Sequence, residues 1–181
     1  MTGKFQLVTT GACDFTIFDR KTKYITLKYQ NTEELVEHLI KSYREIIEIL
    51  KGLSPGSRAT IIEIPYFSIE AWNKAHKHKN PEIFREQDHQ LEHQLLEVNK
   101  AIRNINQENQ RFSPNFNIDL YRTSARQQRT YQRETASYRH GATKSRRLYN
   151  LCLLQDRIHP NIHLTKAWLM KLTRWIARLL G

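Results

Sequence analysis

Apolar positions along this chain follow two rhythms. Residues 5 to 11 (FQLVTTG) form a β-rich run that ends at a glycine, and residues 24 to 29 (YITLKY) alternate apolar and polar side chains. The first reads as a strand entering a loop, the second as a short strand or hairpin arm. From residue 31 the period lengthens. Leu35, Leu39, Ile46, Ile47 and Leu50 fall on one helical face, Asn31 and Glu34 stand at capping-box spacing, and Gly52 closes the run.

After the turn SPGS, residues 58 to 65 (RATIIEIP) are apolar and rich in β-branched side chains, the pattern of a buried parallel strand. Residues 66 to 80 predict a loop or irregular helix. Pro81 suits the first turn of a long helix whose core face is Phe84, Leu91, Leu95, Val98, Ile102 and Ile105. Residues 116 to 121 (FNIDLY) are a third strand candidate, and the chain ends in an amphipathic helix closed by a glycine. Strand and helix thus alternate, which predicts an α/β fold with a parallel sheet and right-handed crossovers. Ligands in such folds gather beyond the carboxyl ends of the strands.

Residues 122 to 147 break this pattern. They hold Arg122, Arg126, Arg129, Arg133, Arg139, Lys144, Arg146 and Arg147 against the single acid Glu134, a net +7 within the chain's +11. With few aliphatic residues, the stretch from 122 to 150 reads as a flexible basic insertion. It separates an α/β core at residues 1 to 121 from residues 151 to 181, which complete the same domain. Tyr131, Tyr138 and Tyr149 alternate with its arginines, so phosphate pairing with base stacking is the alternative functional reading of this segment. A solvated charge run explains the same composition.

Over all 181 residues, 39% are apolar, enough for a core, while a mean hydropathy of −0.66 and a pI of about 9.8 describe a well-solvated basic chain. Cys13 and Cys152 are too few for a disulfide framework and fit a reducing compartment. The amino terminus lacks the features of a signal peptide, and no apolar run approaches the roughly 20 residues of a membrane span. A cytoplasmic or nuclear location is the expectation.

The chemistry concentrates in residues 153 to 169, LLQDRIHPNIHLTKAWL. Histidine titrates near neutral pH and serves as a general base when a carboxylate fixes its tautomer. Asp156 and His159, three residues apart, can meet on a loop that Pro160 stiffens. The competing reading is structural: Asp156 caps the turn and His159 packs.

Four stretches resemble the carboxyl-terminal portion of an SGNH (GDSL-type) hydrolase, especially divergent invertebrate members tied to mobile elements. They are LVTTGACDFT (7 to 16), TIIEIPYFSIEAWNKA (60 to 75), HQLLEVNKAIRNIN (93 to 106) and LQDRIHPNIHLTKAWLMKL (154 to 172). The resemblance implies a flavodoxin-like three-layer α/β/α fold and hydrolysis of a small ester or acyl group without a cofactor. It makes His159 the base and Asp156 its orienting acid, with the loop of Gly11, Cys13 and Asp14 forming one side of the site. Two departures matter. No Gly-Asp-Ser block occurs, so the first strand and its nucleophilic serine are expected to be missing. Where the family has an oxyanion-binding asparagine this chain has Cys13, a weak donor. The expectation is therefore a truncated or degenerate hydrolase domain with little or no turnover.

Other arrangements carry less. Cys13 is a conceivable thiolate nucleophile, although a buried inert thiol is the commoner state. His89 and His93 lie one turn apart beside Glu92, and His76 and His78 are near in sequence, but no third ligand is evident, so a solvated helix face is expected and no metal site. Trp168, Leu169, Leu172, Trp175, Ile176 and Leu179 with Lys166, Lys171, Arg174 and Arg178 make a basic amphipathic pattern, read as cover for the sheet rather than a membrane-surface helix.

Overall fold

The computed structural model describes residues 5–9, 11–54, 56, 58–120 and 149–180. Residues 122 to 147, with all eight of their lysines and arginines, lie outside the described residues. The fold mixes helix and strand around a small parallel sheet. Strand β1 (Phe5–Val8) pairs in parallel with β4 (Arg58–Ile61), with Leu7 opposite Thr60 and Val8 opposite Ile61. Between them run the antiparallel pair β2 (Thr16–Phe18) and β3 (Ile25–Leu27) and the crossover helix α1 (Thr32–Leu53). The expected strand at residues 24 to 29 is therefore the hairpin arm.

Helix α1 starts where Asn31 accepts a hydrogen bond from the Glu34 amide at 3.1 Å, the cap that the spacing implied. Its buried row is Leu35, Leu39, Tyr43 and Ile47, a strict four-residue repeat. Ile46, expected on that face, lies at its exposed flank, and Tyr43 takes its place. Helix α2 (Ile69–Ala75) forms within the stretch that read as irregular, and a 3-10 turn (Pro81–Phe84) leads into α3 (Arg85–Glu108). Phe84, Leu91, Leu95, Val98, Ile102 and Ile105 are all buried, as their period predicts. Each such side chain contributes roughly 1.5–3 kcal/mol of burial. Helices α1 and α3 pack on one another, and both reach β4.

The buried face of α3 also carries polar side chains, and these bind extended backbone. Asn106 accepts from the Ile61 amide (2.9 Å) and donates to the Ile61 carbonyl (2.7 Å). Two turns earlier, Asn99 makes the same pair of bonds to Ile64 (2.7 and 2.9 Å). Gln87 accepts from the Leu27 amide and Gln94 donates to the Tyr29 carbonyl, while Asn73 of α2 clamps both backbone groups of Ile25. These amides supply bonds that a neighbouring strand would otherwise provide.

They also explain a correction. Residues 116 to 120 are not a strand: a 3-10 turn (Asn117–Asp119) forms there, burying Phe116 and Leu120 on one side. The Asn117 side chain accepts from the Tyr66 amide at 2.8 Å and donates to the Ile64 carbonyl, so side-chain amides stand where a third ladder was expected. Helix α4 (Ile162–Leu180) rests on this region, with Trp168 against Phe116, Trp175 against Phe112, and Lys171 bonded to Asp119 at 2.5 Å. It covers the segment from 112 to 119 rather than a broad sheet face. Leu169 and Met170 remain exposed.

Candidate functional site

The turn that holds Asp156 and His159 is built by backbone first. Leu154 bridges Pro160, the Gln155 amide donates to the His159 carbonyl (2.7 Å), and the Asn161 amide donates to the Leu153 carbonyl (2.8 Å). Arg157, at the turn, adopts φ +74° and sends its guanidinium to the Leu151 carbonyl at 2.9 Å. That left-handed conformation is uncommon for a side chain of this size. Asn161 then starts α4, its carboxamide oxygen accepting from His163 and Leu164.

Within this frame the two oxygens of Asp156 divide the work. Oδ1 accepts from the Ile158 amide (3.0 Å) and the His159 amide (2.7 Å), which closes the turn. Oδ2 lies 2.6 Å from Nδ1 of the His159 ring. Capping and orientation, opposed as alternatives on sequence grounds, coexist on one carboxylate. With Nδ1–H donating to the carboxylate, Nε2 is left as an acceptor, the arrangement a general base requires. The His159 side chain is 74% exposed and that of Asp156 36%, so the ring faces solvent. Partial burial pushes the Asp156 carboxyl upward, but the bonds from the His159 amide, the His159 ring and the Ile158 amide outweigh it and hold the group below its ordinary value.

The loop after β1 folds into a 3-10 turn (Ala12–Asp14). Asp14 accepts from the Gly11 amide at 2.9 Å, so this carboxylate pins its own turn. Gly11 has extended backbone (φ −116°), and a methyl group there would meet Cys13 Sγ at an ordinary 3.5 Å. Nothing in the conformation demands glycine. Cys13 is an exposed free thiol, not the buried one expected.

One piece of chain receives both Phe15 and Tyr149. Phe15, next to the first turn, packs edge-on against Phe67 (6.3 Å), and Tyr149 stacks on Tyr66 (3.9 Å). Tyr66 and Phe67 belong to the extended chain leaving β4, so the Ala12–Asp14 turn is moored through Phe15 beyond the carboxyl end of that strand, and Tyr149, seven residues before Asp156, is anchored beside it. Among the described residues no hydrogen bond or ion pair joins Gly11, Cys13 or Asp14 to Asp156 or His159.

The histidines on α3 stay apart from any ligand set: His93 shares a contact with Thr32, and no group of three or more His, Cys, Asp or Glu among the described residues could hold a metal ion. No helix among them is long and apolar enough to cross a membrane. Sequence reading missed Arg157 and the amide clamps. No residue pattern signals the former, whereas Asn99 and Asn106, seven apart on an apolar face, could have signalled the latter. No protein-family model, curated protein or solved structure matches this chain.

Proposed function

We propose that this chain is a degenerate SGNH-hydrolase-like domain that retains the base half of an ester-hydrolysing site. The observation that carries the reading is the His159 ring, bonded through Nδ1 to Asp156 at 2.6 Å with Nε2 open to solvent. The parallel β1–β4 pair with its helical crossover, and the loop of Gly11 to Asp14 that follows β1, support a reduced form of the flavodoxin-like three-layer architecture.

In a complete site, Nε2 would take the proton of a serine hydroxyl as its oxygen attacks the ester carbonyl. The same nitrogen would then return the proton to the leaving alcohol, with Asp156 stabilising the intervening imidazolium. The sequence contains no Gly-Asp-Ser block to provide that hydroxyl. Cys13 at the oxyanion position donates weakly, and loss of one such donor costs about 10²–10³ in turnover. The chain alone therefore lacks the covalent route. Intact-mass analysis after exposure to an activated acetyl ester tests this, with no stable acyl adduct on serine or cysteine expected. A stoichiometric adduct that disappears in His159→Ala would show a working nucleophile and overturn the reading.

A further inference from the structure

A second surface, distant in sequence from the Asp156–His159 turn and independent of the hydrolase reading, combines cations with exposed rings. The β2–β3 tip carries Arg20, Lys21 and Lys23, and the exit of α2 carries Lys74, Lys77 and Lys79; all six are exposed. The two groups are neighbours because Tyr24 packs on His78 at 4.4 Å and Phe18 packs edge-on against Trp72 at 6.1 Å. Among the described residues none of the six makes an ion pair. Asp19, the acid within the tip, already accepts from the Lys21 amide and the Thr22 hydroxyl.

The rings are presented rather than buried. Phe18 is 48% exposed, with Lys23 Nζ 5.9 Å from its centroid. His76, exposed, stacks on Trp72 at 3.5 Å with nearly parallel planes. The platform is also rigid: Asn73 of α2 clamps both backbone groups of Ile25, and the Asp19 amide bonds to the Tyr24 carbonyl across the tip. Lys23 and Lys77 both sit at positive φ (63° and 64°), where glycine or asparagine would be less strained.

We infer that the β2–β3 tip and the α2 exit form a platform for single-stranded nucleic acid. The lysines and Arg20 neutralise backbone phosphates, and Phe18, with the outer face of His76, stacks on bases. An anionic membrane would meet the same charge, but Ile17 and Phe18 are consecutive strand residues and point to opposite faces. Each face thus offers a single exposed apolar side chain of β2, enough for one base and little for insertion into lipid.

The test uses the full chain and a labelled single-stranded oligothymidylate, titrated at several salt concentrations. Lys21→Glu/Lys23→Glu/Lys77→Glu should weaken binding at least tenfold and flatten the slope of log affinity against log salt by about 2, from three lost phosphate contacts. Phe18→Ala should weaken binding several-fold and leave that slope unchanged. Triple reversal at Lys41, Lys51 and Lys100, on α1 and α3, is the comparison, with folding of each variant checked by circular dichroism. No binding, equal losses in the two triple variants, or tight binding to phosphatidylserine vesicles with none to the oligonucleotide would each overturn the assignment.

Discussion

Asp156 shows why a short motif can be read correctly in its members and incompletely in its physics. The spacing D-x-x-H brought Asp156 and His159 together, with turn capping and ring orientation as rival readings. The structure assigns them to different oxygens. An isolated histidine in water favours the Nε2–H tautomer; here the neutral ring should carry its proton on Nδ1. Nitrogen-15 NMR of the labelled chain should show that form for His159, and Asp156→Ala should return it to the Nε2–H form. An Nε2–H majority in the unsubstituted protein would remove the base geometry.

Stability should follow the same carboxylate. The Asp156 carboxyl is held below its ordinary value, so its contribution is present above the usual aspartate range and disappears as pH falls through the lowered value. Exposure limits it to less than about 1 kcal/mol. Asp156→Asn should therefore lower the unfolding midpoint slightly at pH 7 and not at pH 2. An equal deficit at both values would place the effect in shape rather than charge.

At the level of elements, apolar period located α1 and α3 and nearly all of their buried apolar side chains. It failed where polar residues enter the core. Gln87, Gln94, Asn99 and Asn106 sit on the buried side of α3 outside the apolar pattern, and they carry the bonds that secure Leu27, Tyr29, Ile64 and Ile61. For the same reason the strand candidate at residues 116 to 121 does not pair where it is described: the Asn117 side chain bonds the chain beyond β4. Asn106→Ala leaves two buried backbone groups of Ile61 without partners, and each such loss costs about 1–3 kcal/mol. Urea unfolding should show a deficit of about 2–4 kcal/mol. A change below about 0.5 kcal/mol would mean that β4 does not depend on this clamp.

For the molecule as a whole, the sequence made the mixed α/β character and the parallel pair legible. The extent of the sheet was not, since the edge of β4 is closed by side chains that no strand pattern reveals. The candidate site was legible as two turns, and the meeting of Phe15 and Tyr149 on the chain at Tyr66 and Phe67 needed three dimensions. What results is an exposed, oriented imidazole in a chain whose sequence has no Gly-Asp-Ser block. The decisive measurement is the rate of hydrolysis of a small activated ester at neutral pH by the purified chain, beside His159→Ala at equal concentration. Equal rates, at the level expected for a surface imidazole or below, fit a base without a nucleophile. Saturable turnover that His159→Ala abolishes would contradict it, make this chain a working esterase, and turn attention to the exposed thiol of Cys13.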